Sequence, residues 1–319
     1  MCGAAWLRTV GSPSRRQRLL ASGPLGIHRP PAAAAWCSLG GQMTTVKTSL
    51  WAGLWSVALA CGTPLTPSAE GPAAETPSPA ASSSLRVVSW NVEFLDAPGR
   101  GRNGRSAEQL GSMARDLAAL EADIVVLQEV ASAEAVQALV GEDWTVQVES
   151  RRSDQRLAFA LRPGLDAAFS ELPELSVSGG LRRGLVAQVG ELQVLNVHLK
   201  AGCQWDPLTR GETCRTLGEQ AQVLETWLDA RASEPVLIVG DFNRQLTADD
   251  ELWRALDDGE PSGLRLTAPL LDQRDQCPGS RHRHPIDHAV ATAQVGELVA
   301  RQAPVQGSDH CPIVVEIDG

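Results

Sequence analysis

Six short segments each set polar, chemistry-bearing side chains beside an apolar run. They are Ser89-Trp90-Asn91-Val92-Glu93, Leu127-Gln128-Glu129-Val130, Asn196-Val197-His198-Leu199, Gly240-Asp241-Phe242-Asn243, Ile286-Asp287-His288 and Ser308-Asp309-His310. Asn, Asp and Glu supply the hard oxygen ligands that Mg²⁺ prefers. His198 and His310, far apart in the chain, suit proton transfer near neutral pH. Singly, each segment has a plainer explanation. Asn91 could end a strand, Glu129 could be a solvated residue before a helix, Asp241-Phe242-Asn243 could form an Asx turn, and either histidine could be structural. Six in series weigh against that reading.

The elements around these segments follow from hydrophobic periodicity. Strands are expected over 85–94, 123–128, 144–149, 157–162, 185–189, 192–199, 236–239, 286–291, 297–301 and 313–317. Helices are expected over 106–120, 132–139 and 216–230, the first capped by Ser106 and carrying Leu110, Met113, Leu117 and Leu120 at helical spacing. Many strands with a few interspersed helices predict an α/β fold: two sheets packed as a sandwich and flanked by helices. Polar residues past strand ends are where active sites gather in such folds.

The order and wording of the six segments resemble the endonuclease/exonuclease/phosphatase superfamily, from about Leu85 to Ile317. The resemblance implies a four-layer DNase-like fold and a Mg²⁺-dependent phosphodiester hydrolase, with Mn²⁺ or Ca²⁺ as alternative ions. It implies that Glu129, supported by Asn91, holds the metal, and that His310, oriented by Asp287, activates water. Asp241 and Asn243 would position the nucleophile and bind the phosphate in flight, and Asp309 would bind metal or the histidine shell. His198 would hydrogen-bond the phosphate or serve the leaving group, and Asn196 and Arg183, or Arg182 beside it, would bind substrate phosphate. DNA-cutting relatives carry a tyrosine near residues 151–162. This chain has no tyrosine, and instead sets Arg151, Arg152, Arg156 and Arg162 there. His288 stands where many relatives have an aromatic residue. With His282 and His284 it reads as part of a solvated basic loop that could touch substrate phosphate, because the spacing fits no closed metal site.

Charge bears on the substrate. The net charge is -10, and the 28 basic residues include only six in the first 84 positions against two acidic ones, so the remainder of the chain is more acidic still. An acidic surface does not attract long polyanions by itself. Nucleic acid, the first-choice substrate, would need a local basic patch or a metal. A phospholipase C-like or phosphomonoesterase activity is the alternative, and a catalytically inactive surface binding module is the reading from another class. The stretch after Val92 is hydrophilic, with Arg100, Arg102 and Arg105, and shows no apolar hairpin for a membrane. A complete set of acid, base and ligand residues argues against the inactive module.

The front of the chain reads as processing sequence. Residues 1–42 lack hydrophobic periodicity and are expected to be an upstream extension, with Met43 as the start. Residues 43–61 combine Lys47 with an apolar run ending at Ala58-Leu59-Ala60-Cys61, the form of an export signal. The run is shorter than the about 20 apolar residues a spanning helix needs. Cys61 resembles a lipidated lipobox cysteine; ordinary cleavage after Ala60 is the alternative. Residues 62–84, of Pro, Ala, Ser, Thr and Glu, read as a flexible tether before a domain over 85–319. The expected product is exported, monomeric, and membrane-bound only through such an anchor. Cys203 and Cys214 flank a short loop and are expected to pair, leaving Cys277 with Cys311. Because the first loop follows His198, it is expected to shape specificity.

Overall fold

The computed structural model describes residues 84–318; the expected extension, signal, lipidation site and most of the tether lie outside the described residues. Among the described residues twelve strands and four α-helices follow in chain order. They are β1 (Leu85–Leu95), α1 (Ala107–Ala118), β2 (Ile124–Val130), α2 (Ala133–Val140), β3 (Thr145–Val148), β4 (Arg156–Leu161), β5 (Ala168–Leu172), β6 (Gly184–Val189) and β7 (Leu192–His198). Then come α3 (Gly211–Asp229), β8 (Val236–Asp241), α4 (Glu251–Leu256), β9 (Leu266–Thr267), β10 (Asp287–Thr292), β11 (Leu298–Gln302) and β12 (Ile313–Ile317).

The strands form two six-stranded sheets, ordered β11-β12-β1-β2-β4-β3 and β5-β6-β7-β8-β10-β9. Strand alternation dictates the layers. Val87, Val126 and Phe159 of the first sheet meet Val194, Leu237 and Ala289 of the second in the central core. The alternate residues Val88, Val125 and Leu127 pack on Leu110, Met113 and Leu117 of α1. Leu195, Ile238 and Val290 pack on Leu217, Leu224 and Leu228 of α3. The result is a four-layer α/β fold. Among the described residues no helix is long and apolar enough to cross a membrane.

Departures from the sequence reading are local. The third helix starts at Gly211, five residues before the apolar periodicity begins, because its first turn is polar and is tied down through Cys214. β5, β9 and the six-residue α4 carry too few buried positions to show a period; Asp250 caps α4 by accepting from the Leu252 and Trp253 amides. His288 is not part of the basic loop. It is the second residue of β10, fully buried, with Nε2 between the Arg244 and Pro285 carbonyls and its ring edge-on to Phe242. Burial pushes its pKa down to about 4.

The structure pairs Cys203 with Cys214 and Cys277 with Cys311. The second bond clamps the segment before β10 onto the residue that follows His310, across 34 positions. Chain-entropy arithmetic for a loop of that size gives about 4 kcal/mol. The Cys277→Ser/Cys311→Ser variant is therefore expected to lose about that much stability in urea melts. A change below a tenth of it would show that the clamp adds nothing to the fold.

Candidate active site

The six segments converge at one end of the sandwich. Register sets the first row: in the second sheet His198 lies opposite Asp241, and Asp241 opposite Asp287. All three are in phase with the inward residues Val194, Leu237 and Ala289 of their own strands, so period two aims them between the sheets. Gly240, just before Asp241, has φ +143°, and a Cβ there would lie 2.1 Å from the Val197 carbonyl oxygen. Only glycine lets β8 approach β7 this closely.

The first sheet supplies Asn91 and Glu129. Asn91 is in phase with inward Val87, whereas Glu129 is one residue out of phase with inward Val126. A register shift in β2 between Leu127 and Val130, with Glu129 at φ +62°, turns its side chain back toward the cleft. Bulges re-aim side chains in this way, and a non-glycine residue at positive φ stores strain often found at functional sites. The loop carrying His310 is pinned to β1. Trp90 Nε1 donates to the His310 carbonyl (3.0 Å) and Ser308 Oγ donates to the Asn91 carbonyl (2.7 Å). Buried Arg105 donates to the Gly307 carbonyl (2.7 Å).

At the centre, His310 Nδ1 is 2.8 Å from Asp287 Oδ2, while its Nε2 stands 3.8 Å from Asp241 Oδ2. Burial opposes a charge on this ring, but Asp287 and Asp241 outweigh it and hold its pKa well above 6.5. Asp241 accepts from Asn91 Nδ2 (3.0 Å) and from the Asn243 amide (2.7 Å). Burial, offset in part by His310, pushes its pKa up to about 6. His198 Nε2 is 3.4 Å from Asp241 and 3.8 Å from Glu129; burial, with Arg182 and His310 nearby, drives its pKa well below 6.5 and keeps it neutral. Asn243 (φ +52°) donates its side-chain Nδ2 to the Leu199 carbonyl (3.3 Å). Asp309 lies outside the buried cluster, its side chain exposed and 4.0 Å from His310 Nε2.

A divalent metal fits the donor set. Glu129 Oε2 is buried with no partner, and Oε1 is 3.5 Å from Asn91 Nδ2. Burial raises the Glu129 pKa despite the nearby Arg182 and His310, and a cation bound at the open oxygen would offset that desolvation. Asp241, Asp287 and His310 are also close enough to hold an ion together. His310 and Asp287 already satisfy each other, however, which makes that trio better suited to moving a proton than to ligation.

Two expected phosphate binders are placed elsewhere. Asn196 is fully buried: its Oδ1 accepts from Gln128 (2.9 Å), and its Nδ2 donates to the Leu127 and Ala158 carbonyls (2.9 and 3.0 Å). It ties the two sheets together and has no donor left for substrate. Arg183 points away and pairs with Glu171 at 2.8 Å. Its neighbour Arg182 turns in. Its guanidinium donates to the His198 (3.0 Å) and Leu199 (2.5 Å) carbonyls, and its charge acts on Asp241 and Glu129. The two arginines are neighbours in the chain but meet different partners, so the sequence could not choose between them. Of the expected basic strip, Arg151 pairs with Glu149 and Arg162 with Asp123, Arg156 donates to the Ala131 carbonyl, and Arg152 is exposed with no ion pair among the described residues. His282 and Arg281 do line the cleft, of about 410 Å³, that holds Asp287, Asp309 and His310.

The sequence profile of the Endonuclease/Exonuclease/phosphatase family matches residues 88–310. The chain belongs to this family. Its enzyme class is that of hydrolases acting on phosphate esters, and such enzymes generally depend on divalent metal. No curated protein matches the chain by sequence. Among solved structures, truncated Caenorhabditis elegans TDP2 is 15% identical with a TM-score of 0.53, the match covering 74% of this chain and 98% of that one. The 3'-5' exonuclease NExo of Neisseria meningitidis is 19% identical with a TM-score of 0.53, covering 74% of this chain and 100% of that one. D. rerio TDP2 complexed with single-strand DNA product is 18% identical with a TM-score of 0.52, covering 74% and 100%. At these identities the likeness is one of fold.

Proposed function

We propose that the protein is an exported, monomeric nuclease, Mg²⁺-dependent with Mn²⁺ or Ca²⁺ as alternatives, and tethered to a membrane if Cys61 is lipidated. The observation that carries the chemistry is the His310–Asp287 pair at 2.8 Å, set in one side-chain cluster with Asp241, Asn91 and the unpartnered Glu129 oxygen. In this reading His310 Nε2 takes a proton from water as that water attacks phosphorus and the ester P–O bond breaks. Asp287 holds the Nδ1–H tautomer and balances the imidazolium charge. Asp241 and Asn243 orient the water and the phosphate oxygens, and Asp309 sits at the rim beside His310. Neutral His198 offers an Nε2–H to the phosphate or the leaving oxygen, and Arg182 adds fixed positive charge. A cation held by Glu129 and Asn91, when bound, neutralises charge on the phosphate.

Nucleic acid is favoured as substrate by the DNA-bound relatives of the same fold. The acidic balance of the chain favours a small or lipid phosphate instead. Supercoiled DNA and bis-p-nitrophenyl phosphate, each with Mg²⁺ or EDTA, separate the readings. Metal-dependent cleavage of both supports the nuclease. Cleavage of the small diester alone moves the search to other esters, and no turnover at all would favour the binding module.

Two variants test individual roles. Arg182→Ala is expected to lower kcat/KM about 10- to 100-fold, the worth of a charge-assisted hydrogen bond, while Arg183→Ala changes it less than two-fold. The reverse order would return the role to Arg183. Asp287→Asn removes the charge that holds the His310 pKa up, so the acid limb of the pH–kcat/KM profile should move to lower pH. A limb that stayed in place would mean that another group sets it.

A further inference from the structure

The loop after Leu199 carries Trp205, the most exposed large apolar side chain among the described residues at 68%. The loop beneath it is held on every side. The Cys203–Cys214 bond closes it. Buried Arg244, ion-paired with Asp250, donates to the Cys203 (3.1 Å) and Asp206 (2.7 Å) carbonyls, and the Gln245 amide donates to the Gln204 carbonyl (3.0 Å). Such a mount holds an indole at one place in solvent, with an apolar face open to a planar ligand.

Trp205 lines a cavity of about 500 Å³ together with Arg281, Arg283 and His284. Gln245, two residues past Asn243, ties both segments: its amide holds the Trp205 loop and its Oε1 accepts from the Arg283 and His284 amides at 3.0 Å. The acids of the cavity are already engaged, Asp249 with Arg254, Asp250 with Arg244, and Glu251 with the Leu208 amide. The guanidinium groups of Arg281 and Arg283 have no ion pair among the described residues. Arg281 also lines the cleft of His310 and Asp287, so one side chain joins the two spaces.

We propose that this cavity is a nucleotide subsite beside the scissile phosphate. An unpaired base of a single-stranded nucleic acid stacks on Trp205, and the neighbouring phosphate meets Arg281 and Arg283. The assignment rests on the nuclease reading above and names its substrate as single-stranded. Every base has a π-face for such a platform, whereas a duplex keeps those faces in its own stack. Local stacking and two free cations also explain how a chain of net charge -10 holds a polyanion.

The test uses the full chain with Trp205→Ala, Trp205→Phe and Arg283→Gln. Binding of a short labelled oligodeoxynucleotide is read by anisotropy in EDTA. Turnover of the same strand and of bis-p-nitrophenyl phosphate is read in Mg²⁺. Trp205→Ala should weaken strand binding and raise its KM roughly 5- to 100-fold, with Trp205→Phe retaining most of the affinity. Hydrolysis of the small diester should be unchanged, Arg283→Gln should lower the salt dependence of binding, and an abasic strand should erase the Trp205 effect. Equal strand binding by wild type and Trp205→Ala would overturn the subsite. A mononucleotide that needs Trp205 while the strand does not would assign the cavity to free nucleotides and overturn the strand reading. Failure of the wild type on both the strand and bis-p-nitrophenyl phosphate would instead sink the hydrolase chemistry, and anisotropy would still judge the subsite.

Discussion

His310→Ala should lower hydrolysis of bis-p-nitrophenyl phosphate about 10²- to 10⁴-fold, the range that a positioned general base contributes. The expectation rests on how the ring is used. Nδ1 is committed to Asp287 at 2.8 Å, and only Nε2 faces the cleft. The ring is also held at its backbone, where the His310 amide donates to Ser308 Oγ (3.1 Å) and its carbonyl accepts from Trp90. Removing the imidazole leaves that backbone scaffold intact but strands the buried Asp287 carboxylate, so the loss should fall on kcat with some fall in thermal stability beside it. Exogenous imidazole should restore part of the rate. A variant retaining more than a tenth of wild-type kcat would remove His310 from the role of base.

Glu129→Gln should weaken divalent-metal binding by more than the roughly 10- to 100-fold that outer-sphere partners of a metal are worth. Glutamine keeps the shape of the side chain but loses the charge of a carboxylate whose Oε2 is buried and unpaired. Burial disfavours that charge in the absence of a cation, so the metal-free variant should melt no lower than the metal-free wild type. The two proteins should separate only on Mg²⁺ or Mn²⁺ addition, with the wild type gaining the larger rise in Tm. Equal metal-induced stabilisation would place the ion elsewhere, with the Asp241, Asp287 and His310 group as the next candidate.

The substrate-phosphate assignments show where sequence reading ran out. Arg182 and Arg183 are equivalent as neighbours in a chain, yet one lies against the His198 and Leu199 carbonyls and the other against Glu171. Asn196 has the right type and the right phase, but the facing sheet brings Gln128 onto it and uses up its amide. Trp205 gave no signal at all, because an exposed aromatic in a loop has no period to break. His288 was read with the basic residues before it, although β10 had already begun at Asp287.

From the sequence alone came the segments that carry chemistry, most of the strands and the three longer helices. These follow from strand alternation and helical spacing, which are local properties written every two or every three to four residues. The tertiary structure decided how Glu129 faces the cleft, which arginine turns inward, and what Asn196 binds. It also joined Trp205 and Arg283 across one cavity. Each of these depends on a bulge, on the register between strands or on the opposite sheet, and such long-range pairing leaves no periodic trace in the chain.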